Sequence, residues 1–171
     1  VKIDDTIEPK HIITSATSTD RHLEPIVAAN SDGTFYVAYA YGGQTTATGA
    51  SYNTVYNGVK VEKFSKAGVV DTTFGTSGVL DLTSNSNIDM GTSPVISALA
   101  ESGDFAVAWT EFDATTKRNI AVQVYDNSGS TISTKVILNN PTNAEDTNPQ
   151  IVSFSNGTFG VVWESDDGTD K

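Results

Sequence analysis

Apolar and polar positions alternate along much of this chain with a period of two, the spacing of side chains on one face of a β-strand. Three segments carry the pattern most plainly. Each opens with a proline and a short apolar run: Pro25-Ile26-Val27-Ala28-Ala29, Pro94-Val95-Ile96-Ser97-Ala98-Leu99 and Pro149-Gln150-Ile151-Val152-Ser153-Phe154. A turn rich in Ser, Asp, Asn and Gly follows, supplying the positive-φ positions that a tight hairpin needs. A second run then reads Phe-x-Val-x-Tyr or Phe-x-Val-x-Trp: Phe35, Val37 and Tyr39; Phe105, Val107 and Trp109; Phe159, Val161 and Trp163. Small residues sit between them (Ala38, Ala106, Ala108, Gly160), so these strands read as buried on both faces.

In the first two segments a third strand is predicted over 59–64 and 120–125. It ends in an aromatic, three residues and a glycine, Phe64 to Gly68 and Tyr125 to Gly129. A fourth is predicted over 79–82 and 135–138. The repeating unit is therefore a four-stranded antiparallel meander, and its opening prolines are 69 and then 55 residues apart. The longer spacing comes from a Gly/Thr/Ala-rich insertion over 42–57 and a longer link before Pro94, both in predicted loops.

The fold class expected is all-β, with consecutive four-stranded blades of a β-propeller or a propeller fragment and an incomplete blade at each end. The chain reads as one repeat domain over 1–171. Residues 1–24 hold the terminal strand of a split blade, 25–93 a blade with loop insertions, 94–148 a blade, and 149–171 the first half of a blade. The assignment at the start rests on Lys10-His11-Ile12-Ile13-Thr14-Ser15, which matches Lys135-Val136-Ile137-Leu138-Asn139-Asn140 in type and in distance from the next proline. So few blades are too few to close a ring. Three arrangements follow: part of a longer propeller, identical chains completing each other's blades head to tail, or an irregular sandwich.

The units resemble the propeller-like repeats of large secreted or surface proteins of bacteria and ciliates. The residues that carry the resemblance are the Pro-x-Ile opening, the Asp/Asn-Gly-x-Phe-x-Val-x-Trp strand and the aromatic-x-x-x-Gly turn. Val70-Asp71-Thr72-Thr73-Phe74-Gly75-Thr76-Ser77-Gly78-Val79 is similar to the end of the bacterial delta-sixty surface repeat. The resemblance implies an extracellular or cell-surface setting, adhesion or coat-building, and in some members calcium.

Charge narrows the partners. Lys and Arg total 10 against 21 Asp and Glu, giving a net charge of −11. Such a surface repels phosphate backbones and anionic lipid, so nucleic acid is not an expected partner. The sequence holds no apolar stretch long enough to span a bilayer, and membrane insertion is not expected. There is no cysteine, which leaves the redox compartment open.

Candidate chemistry is sparse. Asp166, Asp167 and Asp170 form an acidic turn whose oxygens are the hard ligands Ca²⁺ takes, though the spacing is not that of an EF-hand loop. His11 and His22 have no ligand-spaced partner, and Arg21 and Arg118 are too few for an arginine-clustered anion site. No catalytic constellation is present, so an enzyme is not expected. Trp109, Trp163 and Tyr39 recur at one repeat position and read as core. Tyr41, Tyr52 and Tyr56 lie in or beside the insertion, where a long loop on a rigid scaffold is a place for ligand binding. Asn156-Gly157-Thr158 matches a glycosylation sequon but falls in a hairpin turn with its own need for Asn-Gly.

The expected function is that of a non-catalytic structural or adhesive module of an extracellular or surface protein. It assembles by β-strand completion between chains or with neighbouring repeats. The alternative is a lectin-like propeller that binds a glycan or other ligand through its loop aromatics.

Overall fold

The computed structural model describes residues 21–42, 45–48, 51–54, 58–82, 94–99, 102–112, 118–138 and 145–166, and every regular element among them is a β-strand. β1 (Arg21–Ala29), β2 (Phe35–Gly42), β5 (Gly58–Phe64) and β6 (Val79–Asp81) form one antiparallel sheet in that order. The β2–β5 connection carries a separate hairpin, β3 (Thr45–Thr48) with β4 (Ser51–Thr54). A second sheet runs β7 (Val95–Ala98), β8 (Phe105–Phe112), β9 (Arg118–Tyr125), β10 (Val136–Leu138), again antiparallel. β11 (Glu145–Ser153) and β12 (Phe159–Asp166) form a hairpin. Both four-stranded sheets are meanders of the predicted connectivity. The strand expected over 10–15 lies outside the described residues.

Pro94 directly precedes β7, but in the first and third units the proline lies inside the strand. β1 and β11 begin before Pro25 and Pro149, and their pairing slips between Leu23 and Ile26 and between Thr147 and Gln150. Glu24 and Asn148, the residues just before those prolines, have φ of 56° and 53°. A left-handed residue followed by one with no N–H to donate interrupts the ladder, which is a β-bulge inside a strand.

The sheets pack face to face in chain order, and the packing has a direction. The first sheet presents Ala28, Tyr36, Ala38 and Ala40 to the second. The second answers with Ile96, Phe105, Val107 and Trp109. Its opposite face offers Val95, Ala108, Ile120 and Val122 to Phe159, Val161 and Trp163 of the third. The Phe-x-Val-x-Trp faces of the second and third sheets thus turn toward the preceding sheet, and the alanine-bearing faces of the first and second toward the following one. On the far side of the first sheet, Val37, Tyr39 and Phe64 make a third buried group.

Bulky rings fill what the alanines leave at one end of the first interface. Tyr36 and Phe105 have ring centroids 4.4 Å apart, and Phe105 stacks on Tyr125 at 5.4 Å. Phe74, 1% exposed, closes the cluster at 5.8 Å from Tyr36 and 5.9 Å from Phe105. It comes from the link between β5 and β6, whose Gly75 N–H donates to Ser128 O at 2.9 Å. Gly129 allows this approach: a Cβ there would sit 3.3 Å from both Gly75 N and the Phe74 ring.

The aromatic at the last position of each pattern hands its polar tip to a carboxylate. Tyr39 OH donates to Glu62 at 2.6 Å, Trp109 Nε1 to Glu111 at 3.1 Å and Trp163 Nε1 to Asp146 at 3.1 Å. Burying such a ring without a partner for its N–H or O–H is unfavourable. Asp146, which is fully buried, is stabilised there by its indole partner.

One turn chemistry recurs. Asp32 Oδ1 accepts from Thr34 N at 2.9 Å and Thr34 Oγ1 at 2.7 Å. Asp71 does the same with Thr73, Asp126 with Ser128 and Ser130, and Asn156 with Thr158. The sequon residues Asn156 and Thr158 are therefore bonded to each other. Hydrogen bonds to the charged form hold the carboxyls of Asp32, Asp71 and Asp126 below the ordinary aspartate value.

Two outcomes follow. Trp109→Ala removes a 1%-exposed ring between two sheets and is expected to cost about 3–5 kcal/mol, and Ala38→Leu to cost about 1–3 kcal/mol by overfilling the same layer, both read by denaturant unfolding. The three depressed carboxyls favour the fold above the unfolded-state aspartate value, and that contribution is lost as pH falls through their lower folded values. The thermal midpoint should therefore fall on acidification. Asp126→Asn keeps the acceptor, as Asn156 does in its own turn, and should make the acid dependence shallower.

Candidate functional site

The hairpin turns of the three successive sheets lie at one end of the stack. Their closing bonds are equivalent: Asn30 N–H to Thr34 O at 2.8 Å, Leu99 N–H to Asp104 O at 2.7 Å and Phe154 N–H to Thr158 O at 2.8 Å. Between them is a cleft of about 470 Å³, to which the β9–β10 turn adds Asn127. Ala29, Ala98, Leu99 and Phe154 make its apolar part, and the Phe154 side chain is half exposed. Ser31, Asp32, Ser102, Ser153 and Ser155 bring hydroxyls and a carboxylate.

Among the described residues Lys63 is the cleft's one cation. Its ammonium donates to Asn127 O at 2.9 Å and stands 3.7 Å from Asp71 Oδ2. Asn127 Nδ2 reaches Ser102 O at 3.4 Å. Beneath the turns, Tyr36 OH donates to Gly103 O at 2.5 Å, and burial pushes its phenol up to about 12. These bonds run between residues up to 67 positions apart, so sheet packing, not local sequence, sets the shape of the cleft.

A second feature is the outer face of β11–β12, where Val152, Phe154 and Val162 are 55%, 51% and 67% exposed around Gly160. In the two preceding sheets the corresponding face is covered by the next sheet. Among the described residues β12 pairs only with β11, and a hollow of about 440 Å³ borders it at Val161, Val162, Trp163 and Ser165.

The residues singled out in the sequence are scattered. Tyr41 is half buried on β2. Its OH donates to Asp81 at 2.8 Å, and Lys60 Nζ lies 3.8 Å from its ring centroid. Tyr52 is on β4, opposite Ala47, and Tyr56 lies outside the described residues. Asp166 ends β12 in an exposed position opposite Glu145; Asp167 and Asp170 lie outside the described residues, as does His11. His22 is on β1 opposite Tyr41. Arg118 pairs with Glu145 at 3.2 Å. Among the described residues no three His, Asp or Glu side chains gather as a metal site.

The cleft went unmarked in the sequence because its turns read only as hairpins, and packing brings them together. One signal was available. Phe154 occupies the repeat position held by Asn30 and Leu99, so an aromatic stands in a turn where the other units place an amide or an aliphatic.

No protein-family model matches the chain, and no curated protein matches it. A solved structure described as an endo-1,4-beta-xylanase from Bacteroides thetaiotaomicron overlaps 92% of this chain and 52% of its own, at a TM-score of 0.42 and 11% identity. The chain thus spans about half the length of that structure, and a likeness at this level carries no argument about fold, chemistry or substrate.

Proposed function

We propose that this chain is a non-catalytic structural module, a run of propeller-type blades that assembles by adding strands and a further sheet to β11–β12. The observation that carries the reading is the exposed apolar face formed by Val152, Phe154 and Val162 beside a strand with one paired edge among the described residues. An unpaired strand edge is a template for another strand. An apolar face next to it is a template for another sheet.

The repeat itself states what fits there. Twice within the chain an alanine-bearing face receives a Phe-x-Val-x-Trp face, and β11–β12 presents Gly160 and Val162 in the same role. The partner is a sheet of this pattern, from another copy of the chain or a neighbouring repeat. Such a contact is head to tail and therefore propagates or closes a ring. The repeat resemblance supports an extracellular or cell-surface setting, and the surplus of acidic residues favours solubility of the modules.

Light scattering across a concentration series tests this, paired with hydrogen exchange at β12. Association that grows with concentration, slowed exchange along β12, and loss of both in Val162→Glu are expected. A monomer at every concentration with freely exchanging outer-edge β12 amides contradicts the reading.

A further inference from the structure

We propose that the cleft among the three turns is a binding site for a neutral saccharide. This does not rest on the assembly reading, since the cleft lies between sheets already packed within one chain.

The chemistry of the lining selects the ligand class by elimination. A hard cation such as Ca²⁺ takes six to eight oxygens. Among the described residues the cleft offers one carboxylate, Asp32, and its Oδ1 is already occupied by Thr34 N and Thr34 Oγ1, with Lys63 in the same cleft. Among the described residues an anion finds one cation, Lys63, already engaged by Asn127 O and facing Asp71, within a chain of net charge −11. A purely apolar ligand would strand the polar lining without partners.

A saccharide matches what remains. It presents hydroxyls that both donate and accept, and it has an apolar C–H face. Ser31, Ser153 and Ser155 line the cleft, and among the described residues their hydroxyls make no hydrogen bond. Each can donate one bond and accept two. Asp32 Oδ2 can accept and Lys63 has N–H donors beyond the one given to Asn127 O, and bonds between sugar hydroxyls and charged groups are stronger than neutral ones. Phe154, half exposed, sets an apolar ring beside them for the C–H face of a pyranose. The volume of about 470 Å³ falls within the range of about 300–1,000 Å³ of small-molecule sites. The turns of all three sheets contribute, so the site exists only when they are stacked.

The test is an NMR titration of the dilute protein with cellohexaose, laminarihexaose, maltohexaose and mannohexaose as neutral probes, and a galacturonate oligomer as the anionic one. Saturable shifts are expected at Ser31, Ser102, Asn127 and Ser155 with at least one neutral probe, and weaker or no binding of the galacturonate. Phe154→Ala should weaken the binding about tenfold, or 1.4 kcal/mol. Ser155→Ala should weaken it less, and Ile132→Ser, exposed and away from the cleft, should leave it unchanged. Unfolding midpoints of each variant separate lost binding from lost fold. If no neutral probe gives saturable shifts at millimolar concentration, if the shifts map outside the turns, or if the galacturonate binds more tightly, the proposal is overturned.

Discussion

The structure depends on one contact made twice, the seating of a Phe-x-Val-x-Trp face against an alanine-bearing face. Alternation along a strand puts large side chains on one side and small ones on the other. In both described interfaces the Phe-x-Val-x-Trp face of one sheet meets the alanine-bearing face of the sheet before it. Tyr36 is the exception that shows the rule: where the first sheet places a ring among its alanines, the second must accommodate it, and Phe105, Phe74 and Tyr125 gather into an aromatic cluster there. The hydrogen bonds of Tyr39, Trp109 and Trp163 to carboxylates then remove the cost of burying their polar tips.

Both candidate functions descend from this contact. Directional stacking leaves the alanine-type face of the last described sheet with Val152 and Val162 in water, which gives it a reason to take a further sheet. The same stacking aligns the three hairpin turns at one end and leaves space between them, lined by hydroxyls and the Phe154 ring. A surface for assembly and a cleft for a ligand can coexist in one module, because one uses the face of the stack and the other its end.

Much of the fold was legible in the sequence because its signals are local. Period-two alternation marked β2, β8 and β12, and turns rich in Ser, Asp, Asn and Gly marked the hairpins. The bulges at Glu24-Pro25 and Asn148-Pro149 were misread as strand starts, since proline more often ends pairing than interrupts it. The β3–β4 hairpin was hidden because Thr45–Thr48 and Ser51–Thr54 lack apolar alternation. The cleft was illegible for a different reason. Its walls come from turns far apart in the chain, and only packing brings Asp32, Asn127 and Phe154 together. The tyrosines and aspartates singled out in the sequence were chosen as local features, and Tyr56, Asp167 and Asp170 lie outside the described residues.

A double-mutant cycle between Tyr36 and Phe105, whose rings meet at 4.4 Å across the two sheets, tests the central claim most directly. Unfolding free energies of Tyr36→Leu, Phe105→Leu and the double variant would be measured. The account predicts that the two positions are coupled by about 0.5–1.5 kcal/mol. Additive effects would mean that the two sheets do not pack through these faces, and would contradict the directional stacking on which both the assembly face and the cleft depend.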